Sequence, residues 1–486
     1  MAASIVYKDI APGADAASSY SATDKTAEST LALSNPIGGK YATLEPNRWT
    51  LSGDFEIYDS DPVIFWSSSF SDANGDFSTP PVLTITLSAQ FTAPGITITF
   101  DEETGEYASD ITIQWYQGAT LKDTQNCNPD STVFVLENQV TSFDKVVITF
   151  NSTSLPKRRL RVTEILMGIV RIFGADEIMS ANCLNEMDLL SAELPASSMS
   201  AVINSATPVD YMFQQKQPIE VRNGTDRYGV YYLKAARRKT TTMWELEAQD
   251  AIGALDDQMF DGAAYLSATS AKTIFTNIVN GAFPIVWDAS VTDTTLKGIL
   301  VRQTKREAMQ QVLFAWGVCC RTDGSGNLVV FVPNNTPTVI TEDETYVGAS
   351  VVTDPIVTKV NVIAHTYATN TNGDILIGST RYRDTQTVYS VTNPDVTAND
   401  VENVKEVKEA TLVSTANGQA VAQRVYDYYT RQNTHQSKIV YSGQKLGDCL
   451  TQPTPWGTTE TGNVIQLNII LSNLIAADVV SVGVEQ

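Results

Sequence analysis

The sequence predicts a mainly β protein with an α+β insertion. An N-terminal β-sandwich of the jelly-roll type is followed by two small β-barrels that flank a helical insertion. Short alternating strands fill the first third of the chain, three strands follow one another at 217–248, and the best helix signal lies between two β-rich regions. The 486 residues are enough for about three domains. A hydrophobic content of 43% with seven Trp is typical of globular chains.

Residues 1–40 are predicted to form an N-terminal arm. They are rich in Ala, Ser, Thr, Asp and Gly and show no sustained period, so alone they would be flexible, and in an assembly they could drape over a neighbour. No basic segment precedes an apolar core here, so no secretory signal is predicted. No apolar run in the chain approaches the ~20 residues that cross a bilayer.

Residues 41–168 are predicted to form the β-sandwich. Alternating apolar residues mark strands at 82–87, 96–100, 111–115 and 146–150. The turn signals between them are Asn74-Gly75, Pro94-Gly95 and Thr104-Gly105.

Residues 169–254 are predicted to form the first barrel. A strand at 217–221 is followed by a turn at Asn223-Gly224 and a second strand at 228–235. A third strand places Trp244, Leu246 and Ala248 on one face, and the strand period stops at Asp250. Another strand is expected at 199–203.

Residues 255–345 are predicted to form the α+β insertion. A short amphipathic helix is expected at 271–280. A second helix is expected from Thr304 to Gly317, because Thr304 and Glu307 form a capping box and Gly317 fits a C-terminal cap. A hairpin at 317–332 then turns on the glycine-rich segment 323–327.

Residues 346–486 are predicted to form the second barrel, with a helix at 419–432 whose buried face is Val421, Ala422, Val425 and Tyr428 or Tyr429. Strands are expected at 359–364, 387–389, 438–441 and 464–471. The two β regions are compatible with an internal duplication too diverged to see in the sequence.

The formal net charge of −22 argues against nucleic-acid binding, because such a surface repels phosphates. Residues 1–150 alone carry 20 Asp and Glu against 6 Lys and Arg. The one basic cluster is Lys157, Arg158, Arg159 and Arg161. It fits a solvated strand entry better than a phosphate or partner contact.

Cysteine and histidine patterns give no catalytic or metal site. The five Cys (127, 183, 319, 320 and 449) include no CxxC pair and are predicted to be reduced and structural. Neither His365 nor His435 lies near a recognisable triad motif. The chain has no P-loop, G-x-G-x-x-G or HExxH, and no cofactor or metal is predicted.

Two weaker patterns in the sandwich have simpler alternatives. Asp72, Asn74 and Asp76 have the spacing that opens a calcium loop, but the glycine is misplaced, and an Asn-Gly turn is favoured. Asp101-Glu102-Glu103 is interpreted as a charged loop. Trp66 and Tyr107 are the candidates for stacking on a glycan, although aromatic residues in sandwiches more often belong to the core.

Two family resemblances follow from particular segments. ITITFDEETGEYASDITIQWY and FDKVVITFNSTSLPKRRLRVTEILMG resemble the discoidin-like jelly rolls of carbohydrate-binding modules, over about a quarter of the chain. Residues 176–486 resemble the tail hub proteins of bacteriophages and related contractile injection particles. That resemblance rests on the order of FQQKQPIEVRNG, YGVYYLKAARR, WELEAQDAIGALDDQMFDG, TKREAMQQVLFAWGVCCRTDGSGNLVVFVP, ITEDETYVGASVVTDPIVTKVNVIAHTY, NPDVTANDVENVKEVKEATLVSTANGQAVAQRVYDYYTRQ and QPTPWG.

The hub resemblance implies a structural, non-enzymatic role in a tail tip or baseplate. It implies a homotrimer in which two barrels per subunit form a ring of six, adapting a six-fold tail tube to a three-fold tip. The implied partners are the tube or distal tail protein, the tip or spike, the tape measure protein and other baseplate proteins. DNA would pass through the channel without specific binding, past walls expected to be acidic.

The hub resemblance also implies assembly in the bacterial cytoplasm and residence in a virion tail or phage-like particle. The alternative is a cell-wall carbohydrate-binding adhesin or a tail-associated glycosidase, since paired carboxylates are common in this sequence.

Overall fold

The structure is a computed structural model that divides into two compact units. It describes residues 3–26, 29, 31, 39–43, 45–46, 48, 58–60, 63–205, 213–224, 226–397, 401–471 and 476–485. The smaller unit, the sandwich unit, comprises Tyr7–Arg171, and the larger unit comprises the rest of the chain. No helix among these described residues has the length and hydropathy needed to span a membrane.

Strands dominate the first 173 residues. The elements are β1 (Ala3–Ile10), α1 (Ala14–Ala17), β2 (Ser18–Ala22), β3 (Gly39–Tyr41), β4 (Tyr58–Ser60), β5 (Phe65–Trp66), β6 (Val82–Phe100), β7 (Ala108–Gln117), β8 (Thr120–Cys127), β9 (Val133–Thr153), β10 (Arg161–Leu166) and β11 (Gly168–Phe173). In the described part of the sandwich unit, seven strands form one sheet in the order β5-β10-β6-β9-β7-β8, with β2 also beside β6.

All four segments predicted as strands in the sandwich are extended and their apolar residues face one core, but 82–87 and 96–100 belong to one strand, β6. The turn predicted at Pro94-Gly95 is wrong, because both residues lie inside the single long strand β6. That strand stays paired with β9 through register shifts between Thr86 and Gly95. A side chain at position 95 would place its Cβ 2.1 Å from the Leu136 carbonyl oxygen. Glycine therefore serves close strand packing here, not chain reversal.

The predicted N-terminal arm differs from the structure. Residues 3–10 and 18–22 form strands, and the second pairs antiparallel with β6 from Ser18 to Ala22. Ile5, Val6 and Tyr7 are consecutively buried in β1. A strand covered on both faces shows no alternation, which is why periodicity did not reveal it.

The larger unit contains the remaining elements. Its strands are β12 (Ile178–Glu186), β13 (Ser198–Asn204), β14 (Pro218–Asn223), β15 (Asp226–Arg238), β16 (Met243–Gln249), β17 (Met259–Phe260), β18 (Ala263–Ser270), β19 (Ile285–Trp287), β20 (Thr295–Leu300), β21 (Gln303–Thr304), β22 (Cys319–Thr322), β23 (Leu328–Phe331), β24 (Thr338–Val339), β25 (Ser350–Thr353), β26 (Lys359–Thr369), β27 (Ile375–Ile377), β28 (Thr380–Thr392), β29 (Val404–Val407), β30 (Asn433–Val440), β31 (Cys449–Pro453), β32 (Thr459–Ile470) and β33 (Ala476–Glu485). Its helices are α2 (Ala251–Ala254), α3 (Ala271–Val279), α4 (Lys305–Trp316) and α5 (Gly418–Tyr429).

One large sheet runs through this unit. Within the larger unit its order is β14-β15-β16-β13-β12-β32-β33-β30-β25, and β31 pairs with β32 and β24. The face predicted for β16 is confirmed, since Trp244, Leu246 and Ala248 are all buried. The mainly β fold predicted from the sequence is confirmed.

The helices share a second core with smaller sheets. Helix α4 begins at the predicted capping box, in which the Thr304 hydroxyl accepts from the Glu307 amide and the Glu307 carboxylate accepts from the Thr304 amide. It ends at Gly317, whose φ of +86° lies in the left-handed region. The buried side chains that line this core include Ile274, Phe275, Val312, Leu313, Val360, Val362, Val421 and Val425.

The region predicted as a second barrel is split between these two layers. Strands β26–β29 form a four-stranded sheet of their own, in the order β27-β28-β26-β29, and α5 packs on it. Only β25 and β30–β33 join the large sheet. The reason is the chain order: β26 to α5 all lie between β25 and β30, which pair directly with each other.

Candidate functional site

The large sheet contains the same five-strand arrangement twice. We call β12–β16 module A, and β25 with β30–β33 module B. In each, the first strand pairs with the second, the second with the fifth, the fifth with the fourth and the fourth with the third. All eight pairings are antiparallel. The identical connectivity identifies an internal duplication.

A shared bulge fixes which residues correspond. In module A the fourth strand skips Lys234 against the fifth, between the pairs Leu233–Ala248 and Ala235–Glu247. In module B the fourth strand skips Ile465 at the same place, between Val464–Ser481 and Gln466–Val480. A bulge changes strand twist and is seldom conserved by chance. Leu233 therefore corresponds to Val464, and Ala248 to Ser481.

The two modules join by direct strand pairing. The first strand of module A, β12, pairs antiparallel with the fourth strand of module B, β32, from Asn182–Ile470 to Glu186–Gln466. Strand β31 occupies the earlier part of the same edge of β32, from Thr459 to Asn463. Each module thus offers two edges for a neighbouring module, one on its first strand and one on its fourth.

The connections within the modules differ in length. In module A residues 187–197 join the first strand to the second, whereas in module B the sheet β26–β29 and α5 are inserted at this point. Helix α4 and the residues after it hold the module A connection. The Gln310 amide donates to the Ser191 carbonyl at 2.8 Å, and the Ser191 hydroxyl donates to the Val318 carbonyl at 2.9 Å. The added elements thus support the sheet without breaking its ladder.

The inward faces of the modules differ in chemistry. Module A buries Cys183, Met199, Leu246 and Ala248, whereas the corresponding residues of module B are Val351, His435, Val479 and Ser481. His435 is fully buried, and burial lowers its pKa, with the Pro453 backbone opposing the shift. Beside it the Ser437 hydroxyl donates to the Gln452 Oε1 at 2.5 Å, and the Gln452 amide donates to Ser481 at 3.2 Å.

The outward face of module A carries balanced charges. Glu247 Oε1 lies 2.6 Å from Arg237 Nη1, and Glu245 Oε2 lies 2.7 Å from Lys239 Nζ. The neighbouring outward positions on β13, Ser198 and Ser200, are uncharged. The excess of negative charge predicted for channel walls therefore does not come from these strands.

The basic cluster of the sandwich unit is mostly an internal ion-pair network. Arg158 Nε lies 2.5 Å from Glu106 Oε1, and Arg161 Nη1 lies 3.5 Å from Glu106 Oε2. Arg161 also pairs with Glu45, and Arg48 pairs with Glu106. Both Arg158 and Arg161 are buried, so the solvated face predicted for this cluster is wrong for these two side chains.

The aromatic candidates for glycan stacking are packed inside. Trp66 is 7% exposed, and the Arg161 guanidinium lies 4.4 Å from its ring centroid. Tyr107 is half-buried against the same core. This geometry is that of core aromatic residues, and a glycan contact stays a prediction.

The calcium-like segment forms the predicted turn. Asp72 Oδ1 accepts from the amides of Asn74 at 2.7 Å and Asp76 at 3.0 Å, and these bonds lower the pKa of Asp72. Gly75 has a φ of +95°. The carboxylate is therefore used within the turn.

The His365 ring is hydrogen-bonded within the fold, with Nδ1 2.7 Å from Asp384 Oδ2 and Nε2 2.9 Å from the Lys408 carbonyl. All five cysteines are unpaired and buried.

Comparison with known proteins was informative only at the level of solved structures. No protein-family model matches the chain, and no curated protein matches it. The fold is similar to the 43 kDa tail protein of prophage MuSo2 from Shewanella oneidensis, at 11% identity over 64% of this chain and 96% of that one, with a TM-score of 0.46. It is also similar to a tail protein from Neisseria meningitidis MC58, at 12% identity over 63% and 92% of the two chains, with a TM-score of 0.46.

A third solved structure is discoidin II from Dictyostelium discoideum. The match has 10% identity over 49% of this chain and 90% of that one, with a TM-score of 0.20.

Replacing Glu106 with Gln should destabilise the sandwich unit. The change leaves two buried arginines without their shared carboxylate, which should lower the free energy of unfolding by about 3 kcal/mol. Glu102→Gln removes the same charge from an exposed position of the nearby loop and should change stability by less than about 0.5 kcal/mol. Chemical denaturation followed by circular dichroism measures both, and equal effects would contradict the network's structural role.

Module B should lose stability in acid because of His435. Its folded pKa lies below the unfolded value, so stability is full above about pH 6.5 and falls as pH decreases, by at most about 1.4 kcal/mol per unit. His435→Met introduces the residue found at the corresponding position 199. It should remove the part of the pH dependence of stability that comes from His435. Gln436→Met, at the exposed neighbouring position, should leave it unchanged. Denaturation midpoints between pH 8 and 5 measure the slope, and an identical slope in His435→Met would refute the assignment.

Proposed function

We propose that this chain is a structural hub of a phage or phage-like tail tip or baseplate. The observation that carries the proposal is the duplication of one five-strand module within a continuous sheet. A chain that presents the same module twice can offer six similar repeats from three copies. Three copies would then match a six-fold tube on one side and a three-fold tip on the other.

The direct β12–β32 pairing supports a geometric role for the two modules. Backbone hydrogen bonds hold the modules in one register, so they are presented as neighbours of fixed spacing. Stacking onto another ring needs this property, because repeats at the contact must coincide. The proposed partners on the two sides are the tube or distal tail protein and the tip or spike protein.

The charge of module A's outward face is compatible with a channel wall. Its acidic residues Glu245 and Glu247 are paired with bases, and the neighbouring Ser198 and Ser200 are small and polar. Such a surface offers DNA or the tape measure protein few sites for strong binding. Passage without adhesion would then depend on charge balance and not on an acidic wall.

The sandwich unit is proposed to contact other baseplate proteins. The sandwich unit carries 21 Asp and Glu against 11 Lys and Arg, so this unit would meet partners with basic surfaces. The protein would assemble in the bacterial cytoplasm and reside in the tail, acting by structure and not by catalysis.

The oligomeric mass tests this proposal. Light scattering coupled to size exclusion should give about three times the 52.9 kDa of one chain, alone or after mixing with its tube protein. A monomer that stays monomeric beside the tube protein, and binds purified cell-wall glycan, would overturn the hub and favour the adhesin.

A further inference from the structure

In the described part of the larger unit, two strand edges have no partner of the kind that their counterparts have. Among the described residues, β25 pairs with β30 on one side, and no strand lies along its other edge. In β15, residues Ala235–Arg238 pair with β16, while β14 reaches only to Tyr232. Unpaired edges of this kind are templates for another strand.

The counterparts of these two edges are paired with each other inside the chain. Strand β25 corresponds to β12, since both are first strands, and β15 corresponds to β32, since both are fourth strands. The chain already shows β12 antiparallel to β32. The same contact between β25 and β15 cannot form within one copy in the described sheet, where the two strands lie near opposite ends of the path.

We propose that β25 of one copy pairs antiparallel with residues 235–238 of β15 in the next copy. The inference rests on the proposed function, for which it supplies the contact between subunits. Every junction between modules, within and between chains, would then be built by one type of strand pairing. Repeated around a three-fold axis, it leaves neither edge open.

The duplication also sets the register. Cys183 pairs with Met199 as Val351 pairs with His435, so Cys183 corresponds to Val351. Leu233 corresponds to Val464 at the shared bulge, so Ala236, three residues further on, corresponds to Leu467. Transferring the β12–β32 register gives these cross-copy pairs: Val351 opposite Arg238, Val352 opposite Arg237, Thr353 opposite Ala236, and Asp354 opposite Ala235.

Charge complementarity favours a second copy as the occupant. The β15 edge carries the exposed bases Lys234, Arg237, Arg238 and Lys239, of which Arg237 and Lys239 also pair with Glu247 and Glu245 of the same chain. Exposed acidic residues flank β25, with Glu342, Asp343 and Glu344 before it and Asp354 after it. In the proposed register Asp354 lies diagonal to Arg237, within reach for an ion pair.

The surface of β25 is also unusually apolar for an edge strand. Val352 is 53% exposed and the nearby Val347 is fully exposed. An edge strand left in water normally carries charges that block pairing. The residues of β15 that would face Asp354 and Thr353 are small, since they are Ala235 and Ala236. The two edges thus combine small side chains opposite Thr353 and Asp354 with ionic complementarity between Asp354 and Arg237.

Engineered disulfides test the pairing in the full chain. Two double variants carry cysteines directly opposite in the proposed register, Thr353→Cys with Ala236→Cys, and Asp354→Cys with Ala235→Cys. In an antiparallel pair of strands the Cα–Cα distance between opposite residues alternates between wide and narrow. One of the two variants should therefore have a distance suitable for a disulfide. The control, Val352→Cys with Ala236→Cys, is one residue out of register and points the thiols to opposite faces.

Mild oxidation of the assembled protein should link copies through at least one matched pair, at about tenfold or more the yield of the control. No link at either pair in an oligomer of trimeric mass would overturn the pairing and leave the hub proposal standing. A natural chain that stays monomeric with its tube protein would overturn both. Equal linking in the control would refute the register.

Amide hydrogen exchange of the unmodified chain covers the case of variants that do not fold. Residues 235–238 and 350–353 should be protected in the oligomer and exchange at least about tenfold faster after dilution to monomer. Rapid exchange of both segments within the intact oligomer would overturn the proposal.

Discussion

The antiparallel pairing of β12 with β32 is the contact on which the rest of the larger unit depends. It makes one sheet out of two modules that are far apart in the sequence. The chain between them must leave module A and return in register, which is costly in conformational entropy. The helical core that contains α3, α4 and α5 supplies buried apolar surface over this detour.

The two modules share one strand arrangement although their corresponding side chains differ. Met199 corresponds to His435, Trp244 to Ala477 and Leu246 to Val479, yet the strand order and the bulge are shared. Backbone ladders tolerate such changes because their hydrogen bonds join main-chain groups. The interior of module A is packed with apolar side chains, and that of module B contains hydrogen bonds among Ser437, Gln452 and Ser481.

Local elements were predictable because their signals are local. The face of β16 followed from a period of two, and α4 followed from its capping box and Gly317. Strand β1 has no alternation to predict it, because Ile5, Val6 and Tyr7 are buried in succession. Pro94-Gly95 is a turn signal that here lies in an irregular part of a strand. The separate sheet β26–β29 was invisible, since strand pairing between distant segments leaves no local pattern. The β12–β32 junction and the open edges of β25 and β15 could not be predicted for the same reason. The resemblance of 176–486 to tail hubs implies a class of protein but gives none of these contacts.

The central claim is that a duplicated module converts three chains into six similar repeats. End-on images of the purified assembly by electron cryo-microscopy test it directly. Averaging without imposed symmetry should show an inner ring of six lobes of similar size around an open centre, with outer density repeated three times. An inner ring with only three lobes, or a single compact particle without a central opening, would contradict the account.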